Sequence, residues 1–130
     1  MKLKIKKFKK FTDLTGTLVP FYKDKSLNKF NIKRFFFLYG KKNFIRADHA
    51  HKKCNQILIP INGTVKVEAF NLKKNKKTFT LSDKNKKYLS VPTFYYIRIK
   101  FLQEKGILLT LCDYKYDKKD YIEKEEFFNL

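Results

Sequence analysis

Apolar residues recur at every second position in much of this chain, and that spacing decides what it can fold into. Thr64-Val65-Lys66-Val67-Glu68-Ala69-Phe70 alternates along its length, and a period of two places one strand face in a core and the other in water. The pattern opens at Leu3 and Ile5 and returns at Gln56 to Ile61, Thr78 to Leu81, Tyr88 to Val91, Phe94 to Phe101 and Ile107 to Leu111. Phe30 to Tyr39 (FNIKRFFFLY) adds a run of strand-favouring aromatics. Between these segments lie Asn62-Gly63, a strong hairpin signal, the polar run 71–77, the charged run 83–87, and Gly106. Only Lys118 to Leu130 reads as a helix, with Asp120 at its N-cap and acids in the first turn. Many short strands at regular spacing predict an all-β sandwich or barrel with a short C-terminal helix. At 130 residues, with no linker or repeat, one domain over 1–130 is expected.

Charge narrows the class of partner. Lys plus Arg outnumber Asp plus Glu by 31 to 12, a net charge of +19, which attracts polyanions such as nucleotide phosphates. The excess is lysine: Arg34, Arg46 and Arg98 are the only arginines. Nucleic-acid readers lean on arginine for base edges and stacking. No nucleic-acid motif underlies the charge, and the aromatics fall at strand-core spacing, so no nucleic-acid partner is expected. No apolar run approaches the ~20 residues of a membrane helix. Met1 to Phe11 lacks the apolar centre of a secretory signal. Cys54 and Cys112 sit inside apolar segments, as reduced, buried thiols do. A cytoplasmic protein with no membrane partner is the expectation.

The chain's two histidines stand two apart, at His49 and His51. On a strand, residues i and i+2 share a face, so both imidazoles are expected to project into one space. Arg46, Lys52 and Lys53 flank them.

The spacing continues as His-x-His, four residues, Gln56, six residues, Gly63. It resembles the first motif of the cupin superfamily, with Gln56 where an acid is usual. The resemblance implies a double-stranded β-helix, a jelly-roll barrel. Two imidazoles and a neutral amide, with no later histidine, fall short of a transition-metal site. No metal and no other cofactor are expected.

Within the cupins the resemblance narrows. Gly16-Thr17-Leu18 with Pro20, Phe30-Asn31-Ile32-Lys33-Arg34, His49-Ala50-His51-Lys52-Lys53, Gln56 and Gly63 follow one family's order, and Tyr116-Asp117-Lys118-Lys119-Asp120-Tyr121-Ile122 is close to a YDxxDYI signature. Together they are similar to the dTDP-4-keto-6-deoxyglucose 3,4-ketoisomerases, which serve the making of 3-amino-3,6-dideoxy sugars. That likeness implies a dTDP-linked keto sugar as ligand and a homodimer with exchanged N-terminal strands. It implies His49 as the base that moves the carbon 3 proton, with His51 relaying the proton or orienting the sugar. A histidine near neutral pKa suits that task. Arg46 would stabilise the enediolate or hold the diphosphate, and Arg34, Lys53, Gln56 and Tyr95 are the further expected substrate contacts.

Three departures stand out. Phenylalanine, at Phe36, occupies the place of the family's strand tyrosine. Tyr95-Tyr96 replaces a Trp-His pair after Pro92, and Arg46-Ala47 replaces Arg-Gly. A slow isomerase, an isomerase whose hydroxyl comes from Tyr39, Tyr95 or Tyr96, and a catalytically silent nucleotide-sugar-binding cupin all answer to this pattern.

Overall fold

Asn62 and Gly63 carry the chain from one sheet to another rather than folding it back on itself. Gly63 adopts φ +86°, a backbone conformation that residues with a side chain rarely take. The computed structural model, which describes residues 1–130, contains twelve strands and one α-helix. The strands are β1 (Lys4–Lys7), β2 (Phe11–Asp13), β3 (Gly16–Leu18), β4 (Arg34–Gly40), β5 (Ile45–His51) and β6 (Gln56–Asn62). After Gly63 come β7 (Thr64–Phe70), β8 (Lys76–Ser82), β9 (Lys87–Val91), β10 (Tyr96–Phe101), β11 (Gly106–Cys112) and β12 (Tyr121–Ile122). The helix α1 spans Lys124–Phe128.

Two five-stranded antiparallel sheets face each other, in the orders β1-β9-β6-β11-β4 and β12-β5-β10-β7-β8. From β4 to β11 only β7 and β8 are both consecutive and paired. Every other connection crosses between sheets, which is the winding of a jelly roll. The Asn62-Gly63 hairpin expectation is therefore corrected: β6 pairs with β9 and β11, and β7 with β8 and β10.

Alternation fills the space between the sheets. Leu58, Val67, Leu89, Ile97, Ile99, Phe101 and Leu108 meet in one buried cluster. Outside the first sheet, Leu27 and Phe30 pack on Ile57, Tyr88 and Leu111. Outside the second, Phe127 and Ile122 bury themselves against Ala50 and Tyr96, each such side chain contributing about 1.5–3 kcal/mol. That last cluster anchors the C-terminal tail across β5.

The strand read at 30–39 begins only at Arg34, because Phe30 turns into its cluster after a 3-10 turn at Lys25–Leu27. Along β4 the inward residues are Arg34, Phe36 and Leu38, whereas Phe35, Phe37 and Tyr39 are exposed by 61%, 47% and 72%. Those aromatics are not core, contrary to their spacing. The tail also differs: residues 118–120 form a 3-10 turn capped by Asp117, β12 follows, and only Lys124–Phe128 is α-helical. Asp120 is not a helix cap but a buried carboxylate. No helix is long and apolar enough to cross a membrane.

Candidate active site

A bulge in β5 builds the site. Against β10, Ile99 pairs with Arg46, Arg98 with Ala47 and Ile97 with His49, which leaves Asp48 as one extra residue. Ala47 and Asp48 both adopt left-handed backbone, at φ 67° and 62°. On a regular strand, positions 46 and 49 would face opposite sides. The extra residue resets the alternation, so Arg46 and His49 line the same cavity. Tyr96 Oη locks the bulge, contacting the Asp48 carboxylate at 2.7 Å and its carbonyl at 2.8 Å, and Arg98 Nε lies 3.3 Å from the same carboxylate.

The cavity holds about 600 Å³ between the two sheets, the size of a small-molecule site. Arg34, Phe36 and Leu38 of β4 form one wall, and Thr110 of β11 with Gln56 and Leu58 of β6 form the next. Ile45, Arg46, Ala47 and His49 of β5 stand opposite, and Tyr116 and Tyr121 of the tail close the end.

His49 Nδ1 lies 2.8 Å from the Ala47 carbonyl and donates to it, which leaves the Nε2 lone pair free. Burial, and then the neighbouring His51, lower its pKa to about 4, so it rests neutral, as a base must. This is lower than the near-neutral value expected of a poised base.

His51 sits behind His49, ring centroids 4.9 Å apart and edge to face. Its Nδ1 lies 2.7 Å from Asp120 Oδ2, while Asp120 Oδ1 accepts the Lys53 N–H at 2.6 Å. Burial alone would raise the Asp120 pKa, but these hydrogen bonds outweigh it and hold the carboxyl ionised. His51 is lowered by burial, with Asp120 opposing. Tyr121 stacks against both rings, 4.6 Å from His49 and 4.5 Å from His51. Burial raises its pKa, so its hydroxyl stays protonated.

Arg34 crosses the floor. Its Nε donates to the Tyr114 carbonyl at 3.2 Å, and its guanidinium lies 5.5 Å from the Phe36 ring centre and 5.8 Å from that of Tyr116. Its Nη2 is buried with no partner in the fold. Gln56 Nε2 contacts Cys112 Sγ at 3.7 Å. The Cys54 thiol donates to the Asn55 carbonyl at 3.4 Å, and the two neighbouring thiols split in pKa, Cys112 lowered by Cys54 and Cys54 raised by Cys112 and by burial. Both cysteines are free.

Residues 1–130 match the protein family described as FdtA: WxcM-like, C-terminal. A curated relative, the TDP-4-oxo-6-deoxy-alpha-D-glucose-3,4-oxoisomerase of Aneurinibacillus thermoaerophilus, is 30% identical over 131 residues, covering 98% of this chain and 91% of its own. The chain belongs to the sugar 3,4-ketoisomerase family. Its fold agrees with solved members. QdtA, a sugar 3,4-ketoisomerase from Thermoanaerobacterium thermosaccharolyticum solved in complex with TDP, superposes with a TM-score of 0.84 at 31% identity, over 97% of this chain and 90% of its own. A 3,4-ketoisomerase from Helicobacter canadensis superposes at 0.86 with 27% identity, over 99% and 96%.

As a member of this ketoisomerase family, the chain brings together five of the seven side chains read from its sequence. His49, Arg46, Arg34 and Gln56 line the cavity, and His51 stands directly behind it. Lys53 does not join them: the strand ends at His51, the backbone turns at the Lys53 N–H bond to Asp120, and the exposed ammonium lies 5.7 Å from the Tyr114 ring. Tyr95 lines a separate hollow with Asn71 and Leu72. Of the hydroxyls considered for the missing tyrosine, Tyr39 is outside and Tyr96 is committed to Asp48. Asp120, Tyr121 and Tyr116 were missed as site residues, although the YDxxDYI signature contains all three. His51, Cys54 and Asp120 offer ligand atoms within 4.8 Å of one another. They fit a metal poorly, since Asp120 is committed to two donors and the Arg34 charge bears on both His51 and Cys54.

Proposed function

We propose that this protein isomerises TDP-4-keto-6-deoxy-D-glucose to the 3-keto sugar through an enediol, with His49 as the base. The observation that carries the reading is the free Nε2 of a neutral His49 on the cavity wall, backed by the His51–Asp120 pair. His49 takes the proton from carbon 3. The electron pair forms the C3–C4 double bond and the C4 carbonyl becomes an enediolate oxygen. Arg34 offsets that charge, and Arg46 at the cavity mouth holds the diphosphate. His49, its proton exchanged with water, protonates carbon 4 while the O3 hydroxyl proton passes to O4, so O3 becomes the new carbonyl, O4 a hydroxyl, and substrate and product have the same atoms. His51, held by Asp120, positions His49 through ring contact rather than touching the sugar. Gln56 on the β6 wall is in reach of the bound ligand, and such a product would serve the making of a 3-amino-3,6-dideoxy sugar.

The same reading takes residues 1–130 as one catalytic domain working in the cytoplasm, where free Cys54 and Cys112 stay reduced. It includes a homodimer with exchanged N-terminal strands. In support, the β2–β3 ribbon stands apart from both sheets with every residue exposed, Phe11, Leu14 and Leu18 among them. Sedimentation at twice the chain mass is the expected result.

The deciding experiment is incubation with TDP-4-keto-6-deoxyglucose in deuterium oxide, followed by NMR. Deuterium at carbon 4 of a 3-keto product is expected. Tight binding with no loss of the carbon 3 proton would instead identify a silent sugar-nucleotide binder. His49→Asn is expected to abolish turnover while TDP binding stays within a few-fold, because a base acts on the transition state more than on ground-state affinity.

A further inference from the structure

One polar group on the cavity wall has no structural use. Thr110 lies mid-strand on β11, directly paired with Phe36 on one side and Leu58 on the other, and all three line the cavity. It is 1% exposed, and its Oγ1 is buried with no hydrogen-bond partner. Leu38, Leu58, Phe36 and Ile99 around the cavity offer it none. Buried hydroxyls are nearly always paired, and an unpaired one costs stability that valine, of almost the same shape, would not. The fold gains nothing from this oxygen; a ligand in the cavity would.

We propose that Thr110 Oγ1 contacts the hexose and supplies, from β11, a hydroxyl that Phe36, facing it from β4, cannot supply. The inference rests on the isomerase reading and deepens it. Moving a ketone from carbon 4 to carbon 3 shifts two protons: one between carbons, which His49 handles, and one between oxygens. A hydroxyl donates and accepts at once. Thr110 gives its proton to O4 as the C4 carbonyl becomes a hydroxyl, and takes the O3 proton as that oxygen becomes a carbonyl. Threonine is unchanged at the end and no other reactant is needed. The direct register of Thr110 with Phe36 sets the hydroxyl at the same end of the cavity as that ring.

The test compares T110V, T110S and F36Y/T110V by thermal melting and by NMR turnover. T110V is expected to melt no lower than the parent yet lose about tenfold or more in turnover, the scale of one well-placed hydrogen bond. T110S, which restores a hydroxyl, is expected to recover most of the loss, and tyrosine at position 36 in the double variant to recover part of it. A folded T110V with parental turnover overturns the assignment. Binding separates this inference from the reading beneath it. In the H49N background, T110V should weaken TDP-4-keto-6-deoxyglucose several-fold while leaving TDP itself unchanged. If the parent does not isomerise the sugar, the isomerase reading falls. An unchanged ratio of those two affinities overturns the Thr110 contact whether or not the parent turns over.

Discussion

Asp120 closes on His51 across 69 residues of chain, its Oδ2 2.7 Å from the imidazole Nδ1. Because the carboxyl is ionised it can only accept, so Nδ1 carries the hydrogen and the tautomer of His51 is set. His51 in turn meets His49 edge to face. A residue in the tail thus orients His49 through an intermediary.

Asp120→Asn should therefore lower kcat by a factor on the order of 100 while KM changes little. The amide still accepts from the Lys53 N–H, but its NH₂ can present a donor to His51 and favour the other tautomer. Steady-state kinetics with a parallel melt checks this. Parental kcat in a folded variant would show that the His51 tautomer is immaterial.

Stability should fall on acidification between pH 6.5 and about 4. His49 has a folded pKa of about 4 against 6.5 unfolded, so the unfolded chain binds the proton first. Its contribution is full above pH 6.5 and lost as pH drops toward 4. His51 is lowered too and acts in the same direction. Asp120, also lowered, adds stability present above the unfolded carboxyl value, and that share is lost only at still lower pH. Allowing for water in the cavity, His49 accounts for about 2 kcal/mol. Denaturant unfolding at pH 7 and 4.5 measures the drop, which His49→Asn should flatten. Under the isomerase reading the acid limb of kcat should lie above that of kcat/KM, because the diphosphate of the bound substrate would raise the His49 pKa.

Ala47→Val should cost about 2 kcal/mol and much of the turnover. A β-branched residue at φ 67° is strained, and relief of that strain would dissolve the bulge that aims His49. Ala47→Gly should be neutral or stabilising by up to about 1 kcal/mol, the lost strain being offset by glycine's entropy. Equal stability of the valine and glycine variants would contradict this account of the bulge.

The two arginines should separate kinetically. Arg46 is exposed at the cavity mouth, so Arg46→Met should raise KM about tenfold, a loss of ~1.4 kcal/mol, and change kcat little. Arg34 presents a buried, unpartnered Nη2, so Arg34→Met should lower kcat by roughly 100-fold through lost charge stabilisation. A kcat effect at Arg46 with none at Arg34 would reverse these roles.

Treatment with EDTA should leave turnover unchanged. Gln56 gives no carboxylate to the cupin motif, and Asp120 is already engaged by two donors. Bound zinc or iron at one per chain, with activity lost on its removal, would contradict this.

Local chemistry made the strands and the histidine pair legible. Val65, Val67 and Ala69 face inward where period two puts them, and His49-Ala50-His51 with Gln56 and Gly63 is a short-range spacing that survives any packing. What that spacing could not contain is the contribution of partners far along the chain. Asn62-Gly63 signals a turn, but whether β7 returns beside β6 or crosses to the opposite sheet depends on which neighbours bury its apolar face. Lys53 and Tyr95 left the site because the backbone turns after β5 and before β10, ending the alternation that would have aimed them inward. Arg46 and His49 share a wall only because one unpaired residue, Asp48, shifts the register. Asp120 became the partner of His51 instead of a helix cap because Ile122 and Phe127 pin the tail against Ala50 and Tyr96. Thr110, one threonine in an apolar run, acquires meaning only when β11 sets it across from Phe36. Secondary structure follows from neighbours a few residues apart, which a sequence displays; a site is assembled by burial of surfaces that meet only once the sheets have closed.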